Sequence, residues 1–219
     1  MAFTAASDQA PLTDPGHGNT PPGARGAQPA GKYVAASAAA VAKILIVGPL
    51  GVGKTTFIST VSEIPPLSTD AAMTRAGVPA DGALRTAKRT TTVALDFGRL
   101  TLGRPGDELV LYLFGTPGQQ RFLPAWRDLA KGAVGALALI DTADLSAAFE
   151  ALDNLEELNL PFAVAANTFP HSPAHPAADL RSALDLLPHT PLLECDARDN
   201  ASCIRALIAL VNHLINRES

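Results

Sequence analysis

Gly48-Pro-Leu-Gly-Val-Gly-Lys-Thr-Thr56 fits the pattern G-x-x-x-x-G-K-[ST] at Gly48, Gly53, Lys54 and Thr55. Just before it, Val41-Ala-Lys-Ile-Leu-Ile-Val47 is mostly β-branched and aliphatic and reads as a buried strand. Just after it, Thr56-Phe-Ile-Ser-Thr-Val61 sets Phe57, Ile58 and Val61 at helical spacing. A glycine-rich loop between a strand and a helix is the setting in which this pattern cradles phosphate. Gly48, Gly51 and Gly53 let the backbone curl so that its N–H groups point inward, and the helix N-terminus adds its dipole. Phosphate contacts are therefore expected from Gly48, Leu50, Gly51, Val52, Gly53, Lys54, Thr55 and Thr56. Lys54 supplies a point charge to the terminal phosphates, and the Thr55 hydroxyl suits Mg²⁺.

The chain of 219 residues has room for one ordinary domain and a tail. Its hydrophobic fraction of 47% is enough for a sizeable core, and at 5% aromatics that core must be built from Ala, Leu, Val and Ile. A net charge of −4 argues against nucleic acid or an anionic membrane as the main partner. Two cysteines, Cys195 and Cys203, make no disulfide framework and point to a reducing cytosol. No signal peptide, lipidation pattern or intrinsic membrane span is expected; Lys43 interrupts the best apolar run. Cys195 reads as a small core residue, and His171, His175 and His189 as solvated loop residues without cysteine partners at metal-ligand spacing.

Residues 1–38 are rich in Ala, Pro, Gly, Thr and Ser, lack periodicity, and read as a disordered arm. The domain is expected over 41–219. Residues 62–89 are crowded with breakers (Pro65, Pro66, Gly77, Pro79, Gly82) and read as a long loop with one helical turn over Thr69–Arg75. A hairpin follows, from Thr92 to Leu102 and from Leu109 to Phe114. A helix is expected from Leu123 to Lys131, and a strand covered on both faces over Ala133–Ile140. Asp144 caps a helix that faces inward with Ala148, Phe149, Leu152 and Leu155. Pro161–Ala166 is a buried strand, Ala177–Leu187 a helix, Pro191–Cys195 a short strand, and a final helix starts near Asn200. Alternating strands and helices predict an α/β, P-loop NTPase-type fold in three layers with a mostly parallel six-stranded sheet. Ligands in such sheets sit at strand carboxyl ends, where Gly48, Gly115, Asn167 and Asp196 fall.

From Lys43 onward the chain resembles the Ras-like small GTPases, and within them the actinobacterial conservon-type GTP-binding proteins, relatives of the bacterial gliding-polarity GTPases. The resemblance is carried by Val61-Ser-Glu-Ile-Pro-Pro-Leu67, Thr91-Thr-Val-Ala-Leu-Asp-Phe-Gly98, Leu111-Tyr-Leu-Phe-Gly-Thr-Pro-Gly-Gln-Gln-Arg-Phe122 and Cys195-Asp-Ala-Arg198. It implies a Ras-like fold in which 62–92 is an extended switch I loop. It implies Thr92 as a second Mg²⁺ ligand, with Thr90 and Thr91 as neighbours that could substitute. Gly118 would contact the γ-phosphate, and Gln119 would orient the attacking water, with Lys54 the other catalytic group. Asn167 would brace the base-binding loop Asp196-Ala-Arg198, whose Ala197 N–H would meet the guanine carbonyl. The implied ligands are GTP, GDP and Mg²⁺. The implied partners are sensor-kinase-like and roadblock-type proteins, in the cytoplasm, with membrane recruitment only through partners.

Three departures bear on function. Gly115 stands where eukaryotic relatives hold Mg²⁺ through a strand-end aspartate, a change that the resemblance finds in the bacterial relatives too, so the metal rests on Thr55, Thr92 and phosphates unless Asp96 or Asp141 substitutes. Pro170 stands where a base-reading aspartate would, which puts guanine selection in question. Leu50 occupies a loop position often held by glycine and can crowd Gln119 or an incoming arginine. Arg89 and Arg121 are candidates to supply such an arginine in cis. The expected activity is slow GTP hydrolysis in a nucleotide-dependent switch. The alternatives are a nucleotide-binding scaffold with little or no hydrolysis, or a base-nonselective or ATP-preferring NTPase.

Overall fold

The computed structural model describes residues 40–74, 90–117, 123–170 and 172–218. Strand β1 (Ala40–Val47) runs into the glycine loop, and helix α1 (Lys54–Val61) leaves it. Then come β2 (Leu67–Thr74), β3 (Thr90–Arg104), β4 (Asp107–Gly115), α2 (Leu123–Ala130), β5 (Gly135–Asp141), α3 (Ser146–Glu157), β6 (Phe162–Asn167), α4 (Ala177–Ala183), β7 (Leu192–Cys195) and α5 (Asn200–Glu218). The strands form one sheet in the order β2-β3-β4-β1-β5-β6-β7. Only β3 runs against its neighbours; β4, β1, β5, β6 and β7 are parallel.

The parallel strands read as unbroken apolar runs because both faces are covered. Side chains alternate across the sheet. Ile44, Ile46, Leu137, Leu139, Ala163 and Ala165 meet Phe57 and Ile58 of α1 and Leu207 and Leu210 of α5. Their neighbours Leu45, Val47, Ala136, Ala138, Ile140, Val164 and Ala166 meet Trp126, Leu152, Leu155 and Leu180 on the other side. Two cores around one sheet make the expected three-layer α/β architecture, assembled almost wholly from aliphatic side chains.

The hairpin turns at Pro105-Gly106, and β3 pairs with β4 so that Asp96 stands opposite Gly115. The helical turn expected over Thr69–Arg75 is not formed: Leu67–Thr74 is instead a strand, antiparallel to β3 from Leu67↔Phe97 to Thr74↔Thr90. It adds a seventh strand to the six expected and takes the middle out of the loop expected over 62–92. The physical reason is tertiary. β3 is fifteen residues long and offers an open edge, and pairing to that edge outweighs the weak local preference of Ser68-Thr-Asp-Ala-Ala-Met73. Residues 75–89, Arg89 among them, and the arm expected over 1–38 lie outside the described residues.

Two helices also depart from expectation. Phe149 is 41% exposed while Ala151 is buried, so the inward face of α3 is Ala148, Ala151, Leu152 and Leu155. Helix α4 stops at Ala183, and Asp185 turns the chain at φ +50° before Leu187 is reached. Asp144 does serve the start of α3, accepting from the Ala147 N–H at 3.3 Å and the Ser146 hydroxyl at 2.5 Å.

Candidate nucleotide site

The strand-end positions Gly48, Gly115, Asn167 and Asp196 all fall at the carboxyl ends of the parallel strands β1, β4, β6 and β7, on the side of the sheet where the loop 48–53 lies. That loop is built on left-handed glycines. Gly48 has φ +135°, and a Cβ there would sit 2.3 Å from the Leu139 carbonyl oxygen. Gly53 has φ +102°, and its Cβ would lie 2.7 Å from the Asn167 amide nitrogen. The loop thus turns hard against β5 on one side and β6 on the other, which no side chain at either position permits.

Lys54 opens α1 and is 8% exposed. Its ammonium donates to the carbonyls of Gly48 and Pro49, each at 2.7 Å, so its charge is held inside the curl. Burial pushes its pKa down to about 8, against the opposing pull of the Asp96 carboxylate. A lysine so desolvated gains strongly from an anion placed beside it. Leu50, by contrast, is 71% exposed on the loop's outer side.

Thr55 is exposed, and its hydroxyl donates to Asp96 Oδ2 at 2.5 Å. Asp96 reaches the end of β4 from the adjacent strand. A Cβ on Gly115 would lie 3.0 Å from Asp96 Cβ and 3.3 Å from its Oδ2. Asp141, the other substitute considered, is committed elsewhere: its Oδ1 accepts from the Ala143 N–H at 2.9 Å and the Ser172 hydroxyl at 2.6 Å. The oxygens gathered at Thr55 and Asp96 are hard donors of the kind that suit Mg²⁺. Among the described residues, no group of three or more His, Cys, Asp or Glu side chains forms a metal cluster.

Asn167 ends β6 and is 3% exposed. Its Nδ2 donates to the Val52 carbonyl at 2.9 Å, and its Oδ1 accepts from the Ala197 N–H at 2.9 Å. One buried side chain therefore ties the glycine loop to the loop after β7. Thr60 of α1 holds the same residue through its other backbone group, donating to the Ala197 carbonyl at 2.7 Å. The Ala197 N–H, expected to face a base carbonyl, is thus already given to Asn167. Asp196 is engaged by its own loop, accepting from the Arg198 N–H and guanidinium at 2.9 Å each. Those bonds hold its carboxyl below the usual range. Pro170 is exposed beyond Asn167 and offers no acceptor side chain.

The end of β4 is fixed just ahead of the second expected switch segment. The Thr116 N–H donates to the Ile46 carbonyl at 3.0 Å, and Trp126 Nε1 donates to the Pro117 carbonyl at 3.2 Å. Gly118, Gln119 and Arg121 lie outside the described residues. Thr92 is placed by its backbone on β3, opposite Ala72 of β2; its side chain, like those of Thr90 and Thr91, lies outside what is described. Of the two acids considered in place of an aspartate at 115, the fold brings Asp96 to the phosphate loop. Its signal was a lone acid inside the apolar run Val93-Ala-Leu-Asp-Phe97.

No curated protein sequence matches this chain. A family model described as "Conserved hypothetical ATP binding protein" matches residues 46–217. The match begins at the end of β1, takes in the glycine loop, Lys54 and Asn167, and runs through α5. The chain therefore belongs to that family, and is a nucleotide-binding protein of the P-loop type.

Proposed function

We propose that this chain is a Ras-like, conservon-type nucleotide switch that binds GTP and GDP with Mg²⁺ and hydrolyses GTP slowly. One observation carries the reading: Asn167 couples the phosphate loop to the loop after β7 through Val52 and Ala197. A generic phosphate cradle needs no such brace. A site that holds a base and a phosphate tail in fixed relation does.

In this reading the triphosphate enters the curl of amides from Gly48 to Thr56 and takes over the Lys54 ammonium from the two carbonyls it now holds. Thr55, with Thr92 as the resemblance has it, would hold Mg²⁺, which would supply charge neutralisation to the phosphate tail. Gln119 orients the attacking water, and Gly118 contacts the γ-phosphate. The protein's part is positioning and fixed charge, with no covalent chemistry. Leu50, exposed over the loop, narrows the approach for an arginine and keeps turnover slow without a partner. The segments meant to sense the terminal phosphate, around Thr92 and over 115–122, then dock protein partners in one nucleotide state only.

Phosphate release at saturating GTP and Mg²⁺ tests this. Slow multiple turnover is expected, lost on Gln119→Ala without loss of GTP binding. GTP binding with no release in any mixture would instead leave a nucleotide-binding scaffold.

A second reading is favoured by three observations: Pro170 lacks the acceptor that would read guanine, the Ala197 N–H is spent on Asn167, and the family description names ATP. In it the site accepts ATP as well as GTP, or prefers it. Competition of ATP against bound fluorescent GTP decides between them. Displacement at equal concentrations supports the second reading, and failure of a hundredfold excess supports the first.

A further inference from the structure

We propose that Asp96 supplies the magnesium-holding carboxylate of this site, delivered from β3 across the strand pair instead of from the end of β4. The inference rests on the nucleotide reading above and names the acid on which that reading was silent. In a sheet of this type the metal-orienting acid is expected at the carboxyl end of the strand next to β1, and here that place is Gly115. The β3–β4 register sets Asp96 directly opposite Gly115. Residues opposite one another in an antiparallel pair have Cβ atoms close enough for one side chain to fill the space left by its partner.

The space is in fact shared. A Cβ on Gly115 would lie 3.0 Å from Asp96 Cβ and 3.3 Å from Oδ2, closer than two ordinary side chains sit. The third neighbour of that space is Ile58 Cδ1, at 3.1 Å, so only one side chain fits there. The glycine and the acid therefore form a matched pair: the bare position on β4 makes room for the carboxylate of β3. Oδ2 then meets Thr55 Oγ1 at 2.5 Å, the hydroxyl that follows Lys54 and belongs to the phosphate loop. The same carboxylate acts on the Lys54 ammonium through space.

The competing acids are spoken for. Asp141 serves Ala143 and Ser172, and Asp196 serves Arg198. A single acid is sufficient for magnesium, which binds through one or two carboxylates with waters and substrate phosphates completing six oxygens. In the structure the Thr55 hydroxyl donates to Asp96. A magnesium ion would be held by the Thr55 oxygen and by the Asp96 carboxylate, directly or through a water.

The test uses the full chain loaded with a fluorescent GDP, with release followed in EDTA and across a magnesium titration. In the wild-type chain magnesium slows release. Asp96→Asn keeps the shape and an acceptor for Thr55 but removes the charge. It is expected to raise the magnesium concentration needed for half-maximal slowing by roughly 10–100-fold. The exchange variant Asp96→Gly with Gly115→Asp moves the acid to β4 and is expected to bring that concentration back to within about threefold of wild type, since both positions address one space. An unchanged magnesium dependence in Asp96→Asn would overturn the inference while leaving the nucleotide reading intact. Failure of the exchange variant, folded by circular dichroism, to recover would overturn the shared-space argument. A wild-type chain that holds no nucleotide in either condition would remove the nucleotide reading itself.

Discussion

Lys54 carries an unusual burden for a surface-rich residue type: it is nearly buried, with its charge resting on two carbonyls. Its lowered pKa, about 8 against 10.5 in the unfolded chain, has a definite sign. Between those values the unfolded chain binds the extra proton, so stability must rise with pH through that window, and the destabilising charge is fully present below it. Urea midpoints of the free protein at pH 8 and pH 10 should therefore rise more in the wild-type chain than in Lys54→Met. Equal slopes would contradict the burial account. The same shift predicts proton uptake when a triphosphate binds at pH 9, because the anion favours the charged lysine. Calorimetry in buffers of different ionisation enthalpy reads that uptake directly. Gly53 is the second residue with a sharp expectation. Gly53→Ala must hold φ near +102° and clear the Asn167 amide. It should cost roughly 1–3 kcal/mol in chemical denaturation and loosen the brace to Ala197. An unchanged midpoint would mean that the loop adopts another path.

Helix α1 shows how closely elements are fitted around the site. It packs on β3 where Gly98 leaves room for Ile58, whose Cγ2 would lie 2.7 Å from a Cβ there. Its exit is held by Glu63, which accepts from the Thr101 N–H at 2.8 Å and hydroxyl at 3.0 Å. Gly98→Ala should push α1 off the sheet at a cost of about 1–3 kcal/mol in urea unfolding. A midpoint equal to wild type would show that the interface gives freely. Most of these elements were readable in the sequence. The strands β1, β5 and β6 announce themselves as apolar runs, and α5 as a long periodic stripe, because burial on two faces or on one leaves a plain pattern. Strand β2 was not readable, because Ser68-Thr-Asp-Ala-Ala-Met73 carries no alternation of its own and becomes a strand only beside the open edge of β3. The inward turn of Ala151 in place of Phe149 was missed for a related reason. Hydrophobicity favours the larger ring, but the helix is turned so that Ala148, Ala151, Leu152 and Leu155 face the core and Phe149 is left 41% exposed.

At the scale of the molecule, the sheet brings four loops from distant parts of the sequence to the carboxyl ends of its parallel strands, and the side chain of Asn167 ties two of them together. The site was legible where local chemistry fixes it, in the glycine loop, Lys54 and Thr55. It was less so where two strands cooperate, since the pairing of Asp96 with Gly115 exists only once the register is set. Cys195 and Cys203 lie in the core beneath the loop after β7, 1% and 0% exposed. The neighbouring Cys195 thiol, with burial, raises Cys203, whose Sγ donates to the Asp196 carbonyl at 3.4 Å, and Cys203 in turn lowers Cys195. A thiol reagent should modify them only as fast as that region opens, and bound nucleotide should slow the reaction further. Rapid labelling of the native chain would contradict the packed loop. The claim on which all of this rests is that the curl from Gly48 to Thr56 grips a nucleoside triphosphate. Calorimetric titration of the full chain with GTP, GDP and ATP in the presence of Mg²⁺ tests it most directly. The account predicts a saturable heat with GTP and GDP that vanishes in Lys54→Ala; a flat trace with all three nucleotides, or an unchanged affinity in that variant, would contradict it.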